Sequence, residues 1–202
     1  MPSRTKRVFF GDHVFNVWED VYEPAEDTFL FAENLAVQEG NYILDMGTGC
    51  GILAVIAAKN ASEVVAIDIN PHAVRCARQN GELNGTLNNL CFIQGDMFTP
   101  LRAERFDLIL FNTPYLPMDP EEDSWLERAW IGGVSGRQVI DRFICDSPSH
   151  LRRNGQIFLV QSTLSDVDET RLKFKQHGLR TEIVAKRDLP FFETIVLIKA
   201  EH

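Results

Sequence analysis

The stretch Asp45-Met46-Gly47-Thr48-Gly49-Cys50-Gly51 closes a short apolar run that begins at Tyr42 and opens a helical pattern over Ile52 to Lys59. Glycines at such a strand-to-helix turn let the backbone bend sharply and let a ligand approach with no Cβ in the way. Dinucleotide folds place a third glycine where this chain has Ile52, so their G-x-G-x-x-G spacing fails. The Gly47-x-Gly49-x-Gly51 spacing behind an acid suits S-adenosylmethionine instead. That cofactor has no pyrophosphate, and its amino-acid end carries an ammonium that Asp45 would balance through water or backbone groups.

Outward from this turn the pattern repeats. Glu63 to Ile67 is a β-branched run ending in Asp68, and Pro71 to Asn80 is helical, with Asn70 as N-cap and Pro71 at the first helical position. Leu90 to Gln94 is a strand followed by Gly95-Asp96, and Phe106 to Phe111 is a strand followed by Asn112-Thr113-Pro114-Tyr115. Strands apolar on both faces and alternating with helices predict a buried, mostly parallel sheet. Downstream, the sequence predicts a helix over Gln138 to Leu151, a turn at Asn154-Gly155, a strand over Gln156 to Gln161 and a helix over Val167 to His177 capped by Gly178. The strands Thr181 to Ala185 and Thr194 to Lys199 leave no room for a helix between them, which predicts an antiparallel hairpin. Upstream, the first twenty residues predict a hairpin around Gly11-Asp12-His13, and Glu23 to about Gln38 a helix. The stretch Leu116 to Gly136 has no periodicity, and long ordered loops often carry function.

Three acids end three successive strands. Asp68 can accept hydrogen bonds from both ribose hydroxyls, and Asp96 from an adenine amino group. Singly, each acid could equally be a helix N-cap. Together, in a doubly wound sheet, they line one crevice at the carboxyl ends of the strands.

The tetrad Asn112-Thr113-Pro114-Tyr115 ends the next strand at the same edge. It resembles the Asn/Asp-Pro-Pro-Tyr/Phe motif of methyltransferases acting on planar, conjugated nitrogens. The Asn112 side-chain carbonyl and the backbone carbonyl of Thr113 can each accept one N–H. That aims the nitrogen's developing lone pair at the methyl group. Tyr115 would pack its ring on the planar group. Thr113 stands where proline is usual, so the carbonyl is kept while the fixed φ and the missing N–H are not.

Composition narrows the acceptor. The chain has 202 residues, is 45% hydrophobic and carries a formal net charge of -9. Binding to a phosphate backbone is driven by counterion release and needs a basic face, so this balance leans against nucleic acid as the main ligand. Cys50, Cys76, Cys91 and Cys145 are scattered and show no metal-binding spacing; free thiols fit a cytoplasmic protein. No apolar run approaches the roughly 18 residues needed to span a membrane.

Three segments carry a family resemblance: Tyr22-Glu23-Pro24-Ala25-Glu26-Asp27-Thr28, the Asn112 tetrad, and Ala129 to Arg142, which reads Ala-Trp-Ile-Gly-Gly-Val-Ser-Gly-Arg-Gln-Val-Ile-Asp-Arg. Together they resemble the HemK-like glutamine methyltransferases, in the short archaeal and eukaryotic branch that modifies the Gly-Gly-Gln loop of class 1 translation termination factors. The resemblance implies a Rossmann-like class I methyltransferase with a mostly parallel seven-stranded sheet, a C-terminal antiparallel hairpin and helices on both faces. It implies one domain over residues 1–202, with 1–38 as a hairpin and helix covering the cofactor site. The extra N-terminal helical domain of bacterial relatives finds no room here. It implies a cofactor pocket of Thr28, Asp45, Gly47, Thr48, Gly49, Gly51, Asp68, Ile69, Asp96, Met97 and Asn112, with Asn112, Thr113, Pro114 and Tyr115 at the glutamine amide. Gly132-Gly133 would border the substrate channel, with Arg137 and Asp141 fixing that loop. A small zinc-ribbon activator covering an apolar sheet edge is common in this branch. The residue types alone leave an adenine or guanine amino group of RNA or DNA open as acceptor, and a non-catalytic S-adenosylmethionine-binding scaffold as a third reading.

Overall fold

The computed structural model describes residues 5–103, 105–118, 124–190 and 193–202. A hairpin of β1 (Lys6–Phe10) and β2 (His13–Val17) comes first, then helix α1 (Glu26–Glu33). The central unit runs β3 (Tyr42–Met46), α2 (Ile52–Ala57), β4 (Glu63–Asp68), α3 (Pro71–Leu83), β5 (Leu90–Gln94) and β6 (Phe106–Asn112). It continues through α4 (Trp125–Arg128), α5 (Gln138–Asp146), β7 (Leu151–Ser162), α6 (Val167–Gln176), β8 (Arg180–Asp188) and β9 (Thr194–Glu201).

The large sheet has the order β5-β4-β3-β6-β7-β9-β8. The pairings from β5 to β7 are parallel, while β9 runs antiparallel to both β7 and β8, as expected of the C-terminal hairpin. Alternate residues of the inner strands feed two apolar clusters on opposite faces. Ile43, Val64, Leu108 and Leu110 pack towards α1, α2 and α3, while Leu44, Val65, Ile109 and Phe111 pack towards α5 and α6. The chain grows one way from β3 through β4 and β5, then returns to β6 and grows the other way. The loops diverge between β3 and β6, and a crevice opens at their carboxyl ends.

Several boundaries differ from the sequence reading for local reasons. Helix α1 stops at Glu33 because Asn34 turns its side chain back onto the Leu30 carbonyl, 2.8 Å away. Helix α3 has the expected cap, with the Asn70 side chain accepting from His72 N, but runs on to Leu83. The predicted helix Gln138 to Leu151 ends at Asp146 and tightens into a 3₁₀ turn over Ser147–His150. Asn154-Gly155 does not end an element. It lies in a bulge of β7, where Leu151 pairs with Phe106 and Gln156 with Leu108. A Cβ at Gly155 would stand 2.9 Å from the Phe106 carbonyl oxygen. The aperiodic stretch Leu116 to Gly136 contains α4 and a Leu116–Ile131 bridge; its residues 119–123 lie outside the described residues. No helix among the described residues is long and apolar enough to cross a membrane.

The hairpin is fastened to α3 by side chains. Asn80 Oδ1 accepts from Asn16 N at 2.8 Å, and Asn84 Oδ1 from Val14 N at 3.1 Å. Their amide groups return bonds to the Asn16 and Val14 carbonyls, each at 2.8 Å.

Candidate active site

The carboxyl ends of β3, β4 and β6 and the turn after β5 border one cleft of about 290 Å³. Asp45, Gly47, Thr48, Gly49, Asp68, Ile69, Asp96, Met97, Asn112, Thr113, Pro114 and Thr28 all line it. The fold thus gathers nearly every residue that the sequence singled out.

Asp45 is buried at the end of β3, and its carboxylate accepts from the Thr48 hydroxyl at 2.7 Å. Burial pushes its pKa up to about 7; the Thr48 bond pulls the other way, and the neighbouring Asp68 adds to the rise. Asp68 braces the glycine turn directly. One carboxylate oxygen accepts from Gly49 N and the other from Asn70 N, each at 2.9 Å. Burial raises its pKa, while these backbone donors oppose the rise. The ligand and turn-bracing readings of this acid are therefore compatible, since each carboxylate oxygen keeps a lone pair. Asp96 pairs with Arg142 at 2.8 Å, so an arginine on α5 reaches the rim. Met97 holds φ 52, a left-handed conformation uncommon outside glycine and concentrated at functional sites.

Gly51 falls outside the cleft. It caps α2 at φ +86, and a Cβ there would stand 2.9 Å from the Ala77 Cβ. This third glycine lets α2 and α3 approach, so a packing requirement explains it without a ligand.

At the end of β6, Asn112 Nδ2 donates to Thr28 Oγ1 at 3.0 Å. Asn112 Oδ1 is buried and has no hydrogen-bond partner among the described residues. The Thr113 hydroxyl donates to the Val160 carbonyl at 2.7 Å, tying the tetrad to β7. The glycine loop lies flat on the tetrad's backbone. A Cβ on Gly132 would stand 2.7 Å from Pro114 O, and one on Gly136 2.3 Å from Tyr115 O. Arg137 anchors that loop by donating to the Asp166 carbonyl at 2.6 Å and to Asp141 at 2.7 Å. The anchoring role that the resemblance gave Arg137 and Asp141 matches this geometry.

Tyr115 departs from its expected place. It does not line the cleft; its ring packs against both apolar clusters and its hydroxyl reaches Asp27 at 3.4 Å. Burial, then Asp27, then Glu193 raise its pKa far above the usual phenol range. Sequence reasoning did not assign Trp125, Arg128, Val139 and Arg142 to the cleft. The Arg128 guanidinium lies over the Trp125 ring, 5.2 Å from its centroid. Their only signal was membership of the long aperiodic stretch and of the segment ending at Arg142.

The chemistry of this donor set fits S-adenosylmethionine. Acids line a cleft for a ligand bearing an ammonium and two ribose hydroxyls, and the left-handed glycines Gly47 and Gly49 expose backbone to it. Comparisons with known proteins agree. The family model Methyltransferase small domain matches residues 22–129. A Methanocaldococcus jannaschii protein assigned as an N5-glutamine methyltransferase is 40% identical over 181 residues, covering 88% of this chain and 90% of the relative. Methyltransferase HEMK2 of Homo sapiens is 31% identical over 187 residues, covering 85% and 86%. Among solved structures, E. cuniculi Mtq2 in its complex with Trm112, responsible for methylation of the eRF1 translation termination factor, is 28% identical with a TM-score of 0.70, covering 90% of this chain and 98% of that one. The M. jannaschii tRNA m1G37 methyltransferase aligns with a TM-score of 0.74 at 19% identity, which shows the fold alone. A Rossmann-like methyltransferase fold, strand-end acids around one cleft and relatives of matching length converge: the chain belongs to the HemK-like protein-glutamine N5-methyltransferases, S-adenosylmethionine-dependent enzymes, in their short archaeal and eukaryotic branch.

Proposed function

We propose that this enzyme methylates the side-chain amide nitrogen of the glutamine in the Gly-Gly-Gln loop of a translation termination factor. The observation that carries the reading is Asn112 Oδ1, a buried acceptor in the cleft without a partner among the described residues. Such an atom costs roughly 1–3 kcal/mol unless something donates to it. A substrate amide N–H completes it, and the Thr113 carbonyl takes the second N–H. Held by two acceptors, the nitrogen presents its lone pair along one direction. The cofactor supplies an electrophilic methyl on a sulfonium, so no metal or covalent nucleophile is required. With the cofactor bound, the nitrogen held by Asn112 and Thr113 would take the methyl as the methyl–sulfur bond breaks, and would release one of its two protons to solvent.

In this reading Asp68 receives the ribose hydroxyls, and Asp45 and Thr48 face the amino-acid end across the Gly47-Gly49 turn. Ile69, Asp96 and Met97 border the adenine, with one Asp96 oxygen already engaged by Arg142. Residues 22–28 form the wall over the cofactor, since Tyr22, Pro24, Asp27 and Thr28 line the cleft while none of the hairpin's described residues does. The covering role expected of residues 1–38 thus narrows to this segment. Residues 1–202 then act as one methyltransferase domain.

An amide is favoured over a nucleic-acid base. The tetrad ring that would stack on a base, Tyr115, is packed away from the cleft. Of the groups at the cleft's rim, Arg142 is already paired with Asp96, while the chain as a whole carries a net charge of -9. Trp125 and Arg128 are the lining residues that a base would have to use. Translation termination places the enzyme in the cytoplasm. A small zinc-ribbon subunit is proposed to pair with β5, one edge of the sheet, where Leu90, Phe92 and Ile93 are half-buried and Cys91 is exposed. The opposite edge, β8, exposes Arg180, Glu182, Lys186 and Asp188, charges that discourage strand addition.

The test offers labelled cofactor to the enzyme with a cognate termination factor, its Gln→Ala loop variant, total RNA and total DNA, with and without the zinc-ribbon protein. Label on the wild-type factor alone is expected. Label on nucleic acid alone overturns the protein acceptor.

A further inference from the structure

We infer that Asp27 and Thr28 are positioning residues that fix which way the Asn112 amide faces. This rests on the reading of Asn112 as the amide acceptor and adds what orients it.

An asparagine side chain can rotate by half a turn and exchange its oxygen for its nitrogen with little change in shape. Only one of the two orientations can accept from a substrate N–H. The neighbour that decides is Thr28, 84 positions away in sequence, whose Oγ1 lies 3.0 Å from Asn112 Nδ2. A threonine hydroxyl has one proton to give. Here it goes to Asp27 Oδ1 at 3.1 Å, and the same carboxylate oxygen takes the Thr28 backbone N–H at 2.6 Å. Asp27 is buried and, as a carboxylate, only accepts. With its proton committed, Thr28 Oγ1 turns a lone pair to Asn112. A flipped Asn112 would set oxygen against oxygen, so the NH₂ faces Thr28 and Oδ1 is left for the substrate.

Asp27 is itself held. The Tyr22 hydroxyl lies 3.0 and 3.1 Å from its two oxygens, and the Tyr115 hydroxyl 3.4 Å from Oδ2. The fourth residue of the tetrad therefore acts through the first from behind the cleft. Its ring is the back support of a chain running Tyr115, Asp27, Thr28, Asn112. The segment 22–28 and the tetrad, far apart in sequence, form one device.

The test compares Thr28→Val, Thr28→Ser, Asp27→Asn and Asn112→Ala with wild type. Cofactor affinity is read by calorimetry, and methyl transfer to the termination factor by mass spectrometry of its loop. Thr28→Val keeps the shape and removes the hydroxyl. Its kcat at saturating cofactor is expected to fall about 100-fold, the loss typical of a reacting group displaced by an ångström, beyond any change in cofactor Kd that follows from Thr28 lining the cleft. Thr28→Ser restores the hydroxyl and returns kcat to within about threefold. Nitrogen-15 NMR supplies a readout free of turnover: the Asn112 side-chain NH₂ is protected from exchange in wild type and Thr28→Ser, and loses protection in Thr28→Val and Asp27→Asn. A Thr28→Val enzyme with wild-type kcat, or with Asn112 still protected, overturns the inference. A loss confined to cofactor Kd does the same, making Thr28 a cofactor contact. An active Asn112→Ala enzyme sinks the underlying reading instead, so the two failures are distinct.

Discussion

Asp45 meets the Thr48 hydroxyl at 2.7 Å from inside the protein, as a buried carboxylate at the floor of the cofactor cleft. Its pKa, pushed up by burial to about 7 from an ordinary 3.8, makes two pH dependences testable. Between these values the folded protein holds a proton that the unfolded chain has released. Stability of the ligand-free enzyme therefore falls as pH rises from about 4 to about 7 and levels off above. A cofactor ammonium favours the ionised form, so cofactor affinity rises over the upper part of the same window. Calorimetric titrations between pH 5.5 and 8.5 check this. Asp45→Asn should flatten both profiles; an Asn variant whose affinity still climbs through pH 7 would assign the titration to another group.

Asp68 serves two masters, the glycine turn and the proposed ribose site. Asp68→Ala should weaken cofactor binding by about 1 to 3 kcal/mol, as expected for lost charge-assisted bonds. It should also lower the Tm of the ligand-free protein, because Gly49 N and Asn70 N lose their acceptor. Unchanged affinity with a lowered Tm would leave Asp68 as a brace only.

Gly51 is expected to separate stability from binding. Gly51→Ala forces a side chain into a left-handed backbone and against Ala77, for a cost of about 2 to 4 kcal/mol in denaturant unfolding. Cofactor affinity of the folded fraction should stay within a few-fold. A large affinity loss at unchanged stability would return Gly51 to the ligand.

Thr113 ties the tetrad to β7 by its hydroxyl, where related motifs use a proline ring. Thr113→Val should cost about 1 kcal/mol and reduce kcat. Thr113→Pro should keep much of the activity, since the backbone N–H it removes makes only a long 3.4 Å bond to Val160. Inactive Thr113→Pro with normal folding would show that the hydroxyl tether to β7 is needed and that a proline ring does not replace it.

The parts of this protein legible in its sequence are those in which one residue's local chemistry decides. Asn70-Pro71 announces a helix start, and no helix fits between Ala185 and Thr194. Acids and glycines after apolar runs mark strand ends that the parallel topology brings to one edge. What escaped depends on contacts between distant segments. Gly51 looks the same in sequence whether it faces a ligand or Ala77. Tyr115 follows a tetrad pattern, but Asp27, from α1, draws its hydroxyl away from the cleft. Arg142 is one charged residue on an amphipathic helix until β5's turn brings Asp96 within 2.8 Å. The β7 bulge at Asn154-Gly155 carries a turn's residue signature without ending the strand, because Leu151 already pairs with Phe106.

The outer edge of β2 is completed by two asparagine side chains from α3 rather than by another strand. The Val14 and Asn16 amide protons consequently belong to the cooperative unit of α3, not to the hairpin that contains them. In hydrogen exchange they should open with the helix, while the hairpin's remaining amides follow their own local fraying. Two carboxamides one helical turn apart thus lend a two-stranded ribbon, marginal in water by itself, the persistence of the central domain.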